Sequence, residues 1–182
     1  QKTLNSLPAM WFTQDSSYGS PLLGDGPGRA AMHERTYFGA GYFRGQTEMD
    51  VLVIGLGGAP DVQTALHFDA RSITGVDINQ TTVGMVAGPF ADFLGDPYGD
   101  PRVRIVIRDG RSFARTDDQL YDLIQLSGVD TKSVMSAGAL AINESYLYTR
   151  EGFEEYVARL KPDGLLCIIY AGDDYMHRLA IS

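Results

Sequence analysis

The chain is poor in the residues that build cross-links and metal centres. It has one cysteine, Cys167, inside the apolar run LLCIIY, so no disulfide can form within the chain and no cysteine-based metal site is expected. Its three histidines, His33, His67 and His177, are too scattered for ligand spacing, and no metal is predicted. Basic residues are also scarce, with 15 Lys and Arg against 23 Asp and Glu, a net charge of −8. That balance argues against nucleic acid, whose phosphates require clustered cations, and suits a cationic small molecule. No apolar run reaches the length of a membrane span. The opening QKTLNSLPAMWF lacks a signal-peptide core, which makes the cytoplasm the expected compartment. The start at Gln1 and the stop at RLAIS suit a piece of a longer protein.

What is present falls into two parts. Residues 1–48 are rich in Gly, Ser, Pro and aromatics, with turn signals at Gly24-Asp25-Gly26-Pro27 and Gly39–Gly41. They show no helical period and are expected to form a small irregular or short-stranded β segment. From residue 49 onward the pattern changes to alternating strands and helices. VLVIG is a buried strand by composition, and SITGVD, RVRIVI, YDLIQLS and LLCIIY read as four further strands. PDVQTALHF begins a helix at Pro60, a residue suited to the first turn. NQTTVGMVAGPFADFL is a weaker helix, broken by Gly84, Gly88 and Pro89. TREGFEEYVARL carries Thr149 as a candidate N-cap, with Phe153, Tyr156, Val157 and Leu160 on one face. GVDTKSVMSAGALAINESY is a long connection of the kind that carries function. The alternation predicts an α/β fold with a mostly parallel, Rossmann-like sheet over 49–182.

In such sheets ligands bind outside the carboxyl ends of the strands. Three features fall there: the glycines after the first strand, Asp77 after the second and Asp109 after the third. Gly55, Gly57 and Gly58 remove side chains where a ligand can touch backbone, although a plain strand-to-helix turn uses the same residues. Asp77, about twenty residues on, is placed to accept from both ribose hydroxyls, or only to cap the next helix. Asp109 can accept from an exocyclic amino group, or simply form an Asp-Gly turn. A dinucleotide needs a free helix N-terminus for its pyrophosphate, and Pro60 removes one of those N–H groups. The three together favour an adenosine ligand without pyrophosphate, S-adenosylmethionine (SAM) or a relative.

The order VLVIGLGG, GVDIN, DPRVRIVIRDGRSF, YDLIQLSGVDT and NESYLYTREGFEEYVARLKPDGLLCI resembles the spermidine-synthase superfamily, a branch of the class I SAM-dependent methyltransferase fold. The likeness covers about Asp50 to Tyr170, and LLGDG resembles the hairpin of that family's small N-terminal β domain. The resemblance implies that Asp77 holds the ribose hydroxyls, with Ile78 beside it. It implies that Asp109 and Gly110 meet the adenine, and that Gly55, Gly57 and Gly58 pass under the nucleoside. SAM or decarboxylated SAM is the implied co-substrate, and a small amine the implied acceptor.

Two departures bear on chemistry. Where aminopropyltransferases carry G-G-G-D-G-G, this chain has Gly55-Leu56-Gly57-Gly58-Ala59-Pro60, so Gly58 stands in the place of the acid. Where they carry D-S-S-D-P, it has Ser127-Gly128-Val129-Asp130-Thr131. Ser127 replaces the base expected to deprotonate the amine, and Asp130 alone retains a carboxylate there; both are the candidate catalytic residues. Asp130 is equally readable as a solvated loop aspartate. Glu144 and Tyr146 either line an acceptor mouth or serve surface and core. The family's C-terminal hairpin is missing after Tyr170, where AGDDYMHRLAIS remains; a partner covering that edge, as in a homodimer, is one expectation. The function expected is alkyl transfer, aminopropyl or methyl. The rivals are a catalytically degenerate binding or interaction module and, further off, an NAD-dependent oxidoreductase.

Overall fold

The computed structural model describes residues 8–14, 18–128 and 147–169. Asp130, Glu144, Tyr146 and the expected loss of a C-terminal hairpin lie outside the described residues.

An antiparallel hairpin comes first, β1 (Ala9–Gln14) and β2 (Tyr18–Leu23), with Ala9 opposite Leu23 and Phe12 opposite Ser20. The rest of the N-terminal segment differs from the β-rich reading. Arg29–Arg35 forms helix α1 and Tyr37–Tyr42 a 3-10 helix. The sequence RAAMHER has the alanines and long side chains that favour helix, and the glycine-rich flanks obscured its short period.

The alternating part gives β3 (Asp50–Ile54), α2 (Pro60–His67), β4 (Ser72–Asp77), α3 (Gln80–Ala87), α4 (Ala91–Leu94), β5 (Val103–Ile107), α5 (Gly110–Thr116), β6 (Tyr121–Ser127), α6 (Arg150–Val157) and β7 (Leu160–Ile169). The five strands pair in the order β5-β4-β3-β6-β7, and every pairing is parallel. The break between α3 and α4 falls at Gly88-Pro89, as their chemistry requires. Thr149 caps α6 by accepting from the Gly152 N–H. The predicted apolar face of α6 is narrower than expected: Tyr156 is fully buried, but Val157 is 56% exposed and Leu160 already belongs to β7. Lys161-Pro162-Asp163-Gly164 forms an irregularity inside β7. The register there steps from Tyr121 opposite Leu160 to Leu123 opposite Leu165.

The strand period of two divides the core. Val51 and Val53 of β3 face one cluster with Ile73, Val62, Val86 and Leu123. Leu52 and Ile54 face the other, with Val76, Ile124, Phe113 and Tyr156. Each such aliphatic side chain contributes about 1.5–3 kcal/mol on burial. Leu22 and Tyr42 join the first cluster, so the N-terminal elements share the sheet's core.

The amino ends of the strands are tied by charge. Lys161 bonds Asp122 at 2.7 Å and Asp50 at 2.5 Å, while Arg71 also donates to Asp50. These contacts hold Asp50 well below the usual carboxylate range, chiefly through the Arg71 hydrogen bond.

Candidate functional site

The opposite edge of the sheet carries the polar chemistry. The β3–α2 turn enters with Gly55 and Gly57 at φ 81° and 48°, and Ala59 follows at φ 69°. Two neighbours explain why it is bare. A Cβ on Gly58 would stand 2.2 Å from the Pro21 carbonyl oxygen, and one on Gly57 would stand 2.5 Å from Ser20 Oγ. The hairpin is seated on this turn, and Ser20 Oγ accepts from the Gly58 N–H at 2.8 Å. At least part of the space freed by the glycines is therefore taken by β2.

The turn's other N–H groups are also used. Gly55 donates to Val76 O and Ala59 to Leu56 O, each at 2.8 Å. Leu56 donates to Asp77 Oδ2 at 2.8 Å and Gly57 to the same oxygen at 3.4 Å. Pro60 has none to give. From Gly55 to Pro60 no N–H is left for a pyrophosphate, which is the anion a dinucleotide would present there.

Asp77, at the end of β4, is half-buried and aims its carboxylate back at that turn; Oδ1 accepts from the Asn79 N–H at 2.7 Å. An ionised carboxylate offers about four lone-pair positions, so these three bonds leave capacity for a ligand hydroxyl. Tyr98 stands close enough for Asp77 to raise its phenol, after desolvation, which is the larger cause. Its hydroxyl is buried without a partner among the described residues. Ile78 is 66% exposed beside Asp77, an apolar surface of the kind a base can rest on.

Asp109, at the end of β5, caps α5 by accepting from the Ser112 N–H at 2.7 Å. Gly110 is required by packing, since a Cβ there would stand 2.3 Å from Ile54 Cγ2. These residues and the glycine turn lie at the carboxyl ends of three adjacent strands, β3, β4 and β5.

A fourth group was missed in the sequence. Asp61, in the first turn of α2, is 2% exposed. Its Oδ1 accepts from Ser127 Oγ at 2.9 Å and from Gln125 Nε2. Gln125 Nε2 also reaches Phe38 O at 3.2 Å and Ser127 Oγ at 3.3 Å. Burial pushes the Asp61 carboxyl up to about 7, against the pull of the Ser127 and Gln125 hydrogen bonds. The signal was Gln125, a polar residue between Ile124 and Leu126 in the YDLIQLS strand, which is adjacent to β3.

An open depression of about 420 Å³ lies at the far amino edge, lined by Arg71, Asp122 and Lys161 among others. Those charges are paired with one another or with Asp50. Among the described residues, no group of His, Cys, Asp and Glu side chains could hold a metal ion, and no helix is long and apolar enough to cross a membrane.

The arrangement is that of the class I SAM-methyltransferase fold. The spermidine synthase of Thermotoga maritima superposes with a TM-score of 0.59 at 17% identity, covering 90% of this chain and 54% of that one. The N-methyltransferase NodS from Bradyrhizobium japonicum superposes at 0.51 with 18% identity, covering 84% and 65%. The family model described as "Spermine/spermidine synthase domain" matches residues 34–179, and the chain belongs to that family. Polyamine aminopropyltransferase 2 of Pseudomonas aeruginosa is 29% identical over 120 residues, 65% of this chain and 32% of that protein. The polyamine aminopropyltransferase of Korarchaeum cryptofilum is 25% identical over 132 residues, 72% and 38%. The chain thus spans about a third of the length of these curated relatives.

Proposed function

We propose that this chain binds a sulfonium nucleoside, SAM or decarboxylated SAM, at the carboxyl edge of β3, β4 and β5, and transfers its alkyl group to a small amine. One observation carries the reading. The turn that would face a cofactor's linker has spent its N–H groups internally, whereas Asp77 beside it keeps acceptor capacity. Such a site has acceptors for ribose hydroxyls and nothing for a pyrophosphate. Asp77 holds the ribose, Ile78 supports the base and Asp109 accepts from the adenine amino group with its remaining lone pairs. A sulfonium supplies an alkyl carbon whose leaving group departs neutral, so the protein's main task is positioning.

Calorimetry with SAM, decarboxylated SAM, methylthioadenosine and NAD tests this. Binding of the sulfonium and thioether nucleosides is expected, with NAD silent. Binding of NAD alone would overturn it. A second reading, a nucleoside-binding module without turnover, has one observation in its favour. Gly58 lies under the Pro21 carbonyl, so the acid of the aminopropyltransferase motif would not fit there. Nucleoside binding with no transfer to any amine would establish that reading instead.

A further inference from the structure

We infer that Ser127 and Asp61 form a proton relay for the acceptor amine, with Ser127 touching the amine and Asp61 acting through it as a positioning and proton-holding residue. The inference rests on the proposed function above and names the residues that replace its base.

With Asp61 ionised, the donors and acceptors around Ser127 set the direction of its proton. Ser127 has one hydroxyl hydrogen, and it points to Asp61 Oδ1 at 2.9 Å. One Ser127 lone pair takes the longer Gln125 Nε2 contact. Gln125 Nε2, with two N–H groups, lies within reach of three acceptors, Phe38 O, Asp61 Oδ1 and Ser127 Oγ, the last being the longest contact. Ser127 therefore meets anything that approaches its half-buried side as an acceptor. A protonated amine is such a donor. Its N–H proton passes to Ser127 Oγ while Ser127's own proton passes to Asp61, and the freed nitrogen lone pair is available for attack. In the transfer a C–N bond forms as a C–S bond breaks, the sulfur keeping the electron pair. Asp61 ends protonated and returns its proton to solvent by the same route after product leaves.

Asp61 is placed for that task. It is buried, and among the described residues no cation pairs with it. The titratable groups facing it are Tyr42 from the 3-10 helix and Cys167 from β7; both are pushed upward, mainly by burial, and stay protonated near neutral pH. A carboxyl that titrates near 7 is matched to general-base work at neutral pH.

The test has two readouts on the full chain. The first is the Asp61 carboxyl titration, followed by carbon-13 NMR with and without 10 mM putrescine as the probe amine. A cation against Ser127 should lower the Asp61 midpoint by about one unit through its opposite charge, and Ser127→Ala should abolish the response. An Asp61 midpoint unmoved by putrescine overturns the relay, whether or not a nucleoside binds. The second is turnover of decarboxylated SAM and putrescine against pH. Asp61→Asn should lower kcat about a hundredfold or more and flatten its pH profile, with nucleoside Kd unchanged and Asp61→Glu restoring part of the profile. A parent-like kcat and profile in Asp61→Asn overturns it. Silence in the nucleoside calorimetry would sink the proposed function separately.

Discussion

Two buried groups should pull the acid stability of this protein in opposite directions. His33 is 1% exposed, and its Nδ1 lies 2.8 Å from Thr64 Oγ1. The Thr64 hydroxyl donates to Pro60 O at 2.7 Å, so the imidazole must be the donor to Thr64 and is neutral with its proton on Nδ1. Desolvation, with His67 and Arg29 adding repulsion, depresses its pKa from 6.5 to about 4. The unfolded chain therefore takes up this proton first. The stability that His33 provides is full above 6.5 and is lost as pH falls toward 4. At roughly 1.4 kcal/mol per pH unit that amounts to about 3 kcal/mol. Asp61 does the reverse. Its folded pKa is raised from 3.8 to about 7, so the folded state takes up this proton first and gains stability as pH falls through that interval. The gain is about 4 kcal/mol by the same conversion. Tyr42 and Cys167, which face Asp61, remain protonated throughout and do not intervene. Urea unfolding followed by circular dichroism from pH 8 to pH 4 separates the two groups. Relative to the parent, Asp61→Asn should lose about 4 kcal/mol across that range, being relatively most stable at pH 8. His33→Gln should gain about 3 kcal/mol relative to the parent over the same range. An Asp61→Asn curve that stays parallel to the parent's would refute the reasoning, because Asp61 would then titrate alike in both states.

Gly58→Ala should destabilise the fold by about 1–3 kcal/mol, the cost of overpacking, since its methyl group would meet the Pro21 carbonyl oxygen; urea midpoints at constant slope measure it, and a neutral effect would mean the hairpin is free to shift. Asp77→Ala should weaken nucleoside binding by about 1.5–3 kcal/mol, the range for hydrogen bonds to a charged group. Calorimetry reads the loss, and because the Leu56 and Gly57 N–H groups also lose their acceptor, circular dichroism of the same sample must show the fold retained.

The sheet was legible because its three central strands are buried on both faces and announce themselves as short runs rich in apolar residues. DVLVI, SITGVD and YDLIQLS were found this way, and parallel topology then put their carboxyl ends on one edge. Helix α1 was not legible, because seven residues between glycine-rich turns are too few to show a period. Asp109 was legible as a polar residue at a strand end, and its capping bond to Ser112 was the alternative already open beside a ligand role. Asp61 was hidden for a different reason. An acid in the first turn of a helix complements the helix dipole and invites no further question. Only the pairing of β3 with β6 sets Ser127 and Gln125 against it, and that is information about strand order, which no local window contains.

The β3–α2 turn shows how one short stretch answers to two constraints at once. On one side it must admit β2, which fixes glycine at 58 by contact with Pro21 and commits the Gly58 N–H to Ser20. On the other it must face Asp77, which takes the Leu56 and Gly57 N–H groups. A turn satisfied on both sides cannot also cradle phosphate, because every buried donor used internally is one withheld from a ligand. What it offers instead is a backbone with no free N–H donor beside a carboxylate. That combination repels an anion and accepts hydroxyls, and it suits a ligand whose charge is positive. Selectivity between nucleotide classes would then come from the hairpin as much as from the glycines, since the hairpin's Ser20 closes one of the donors that a pyrophosphate would need.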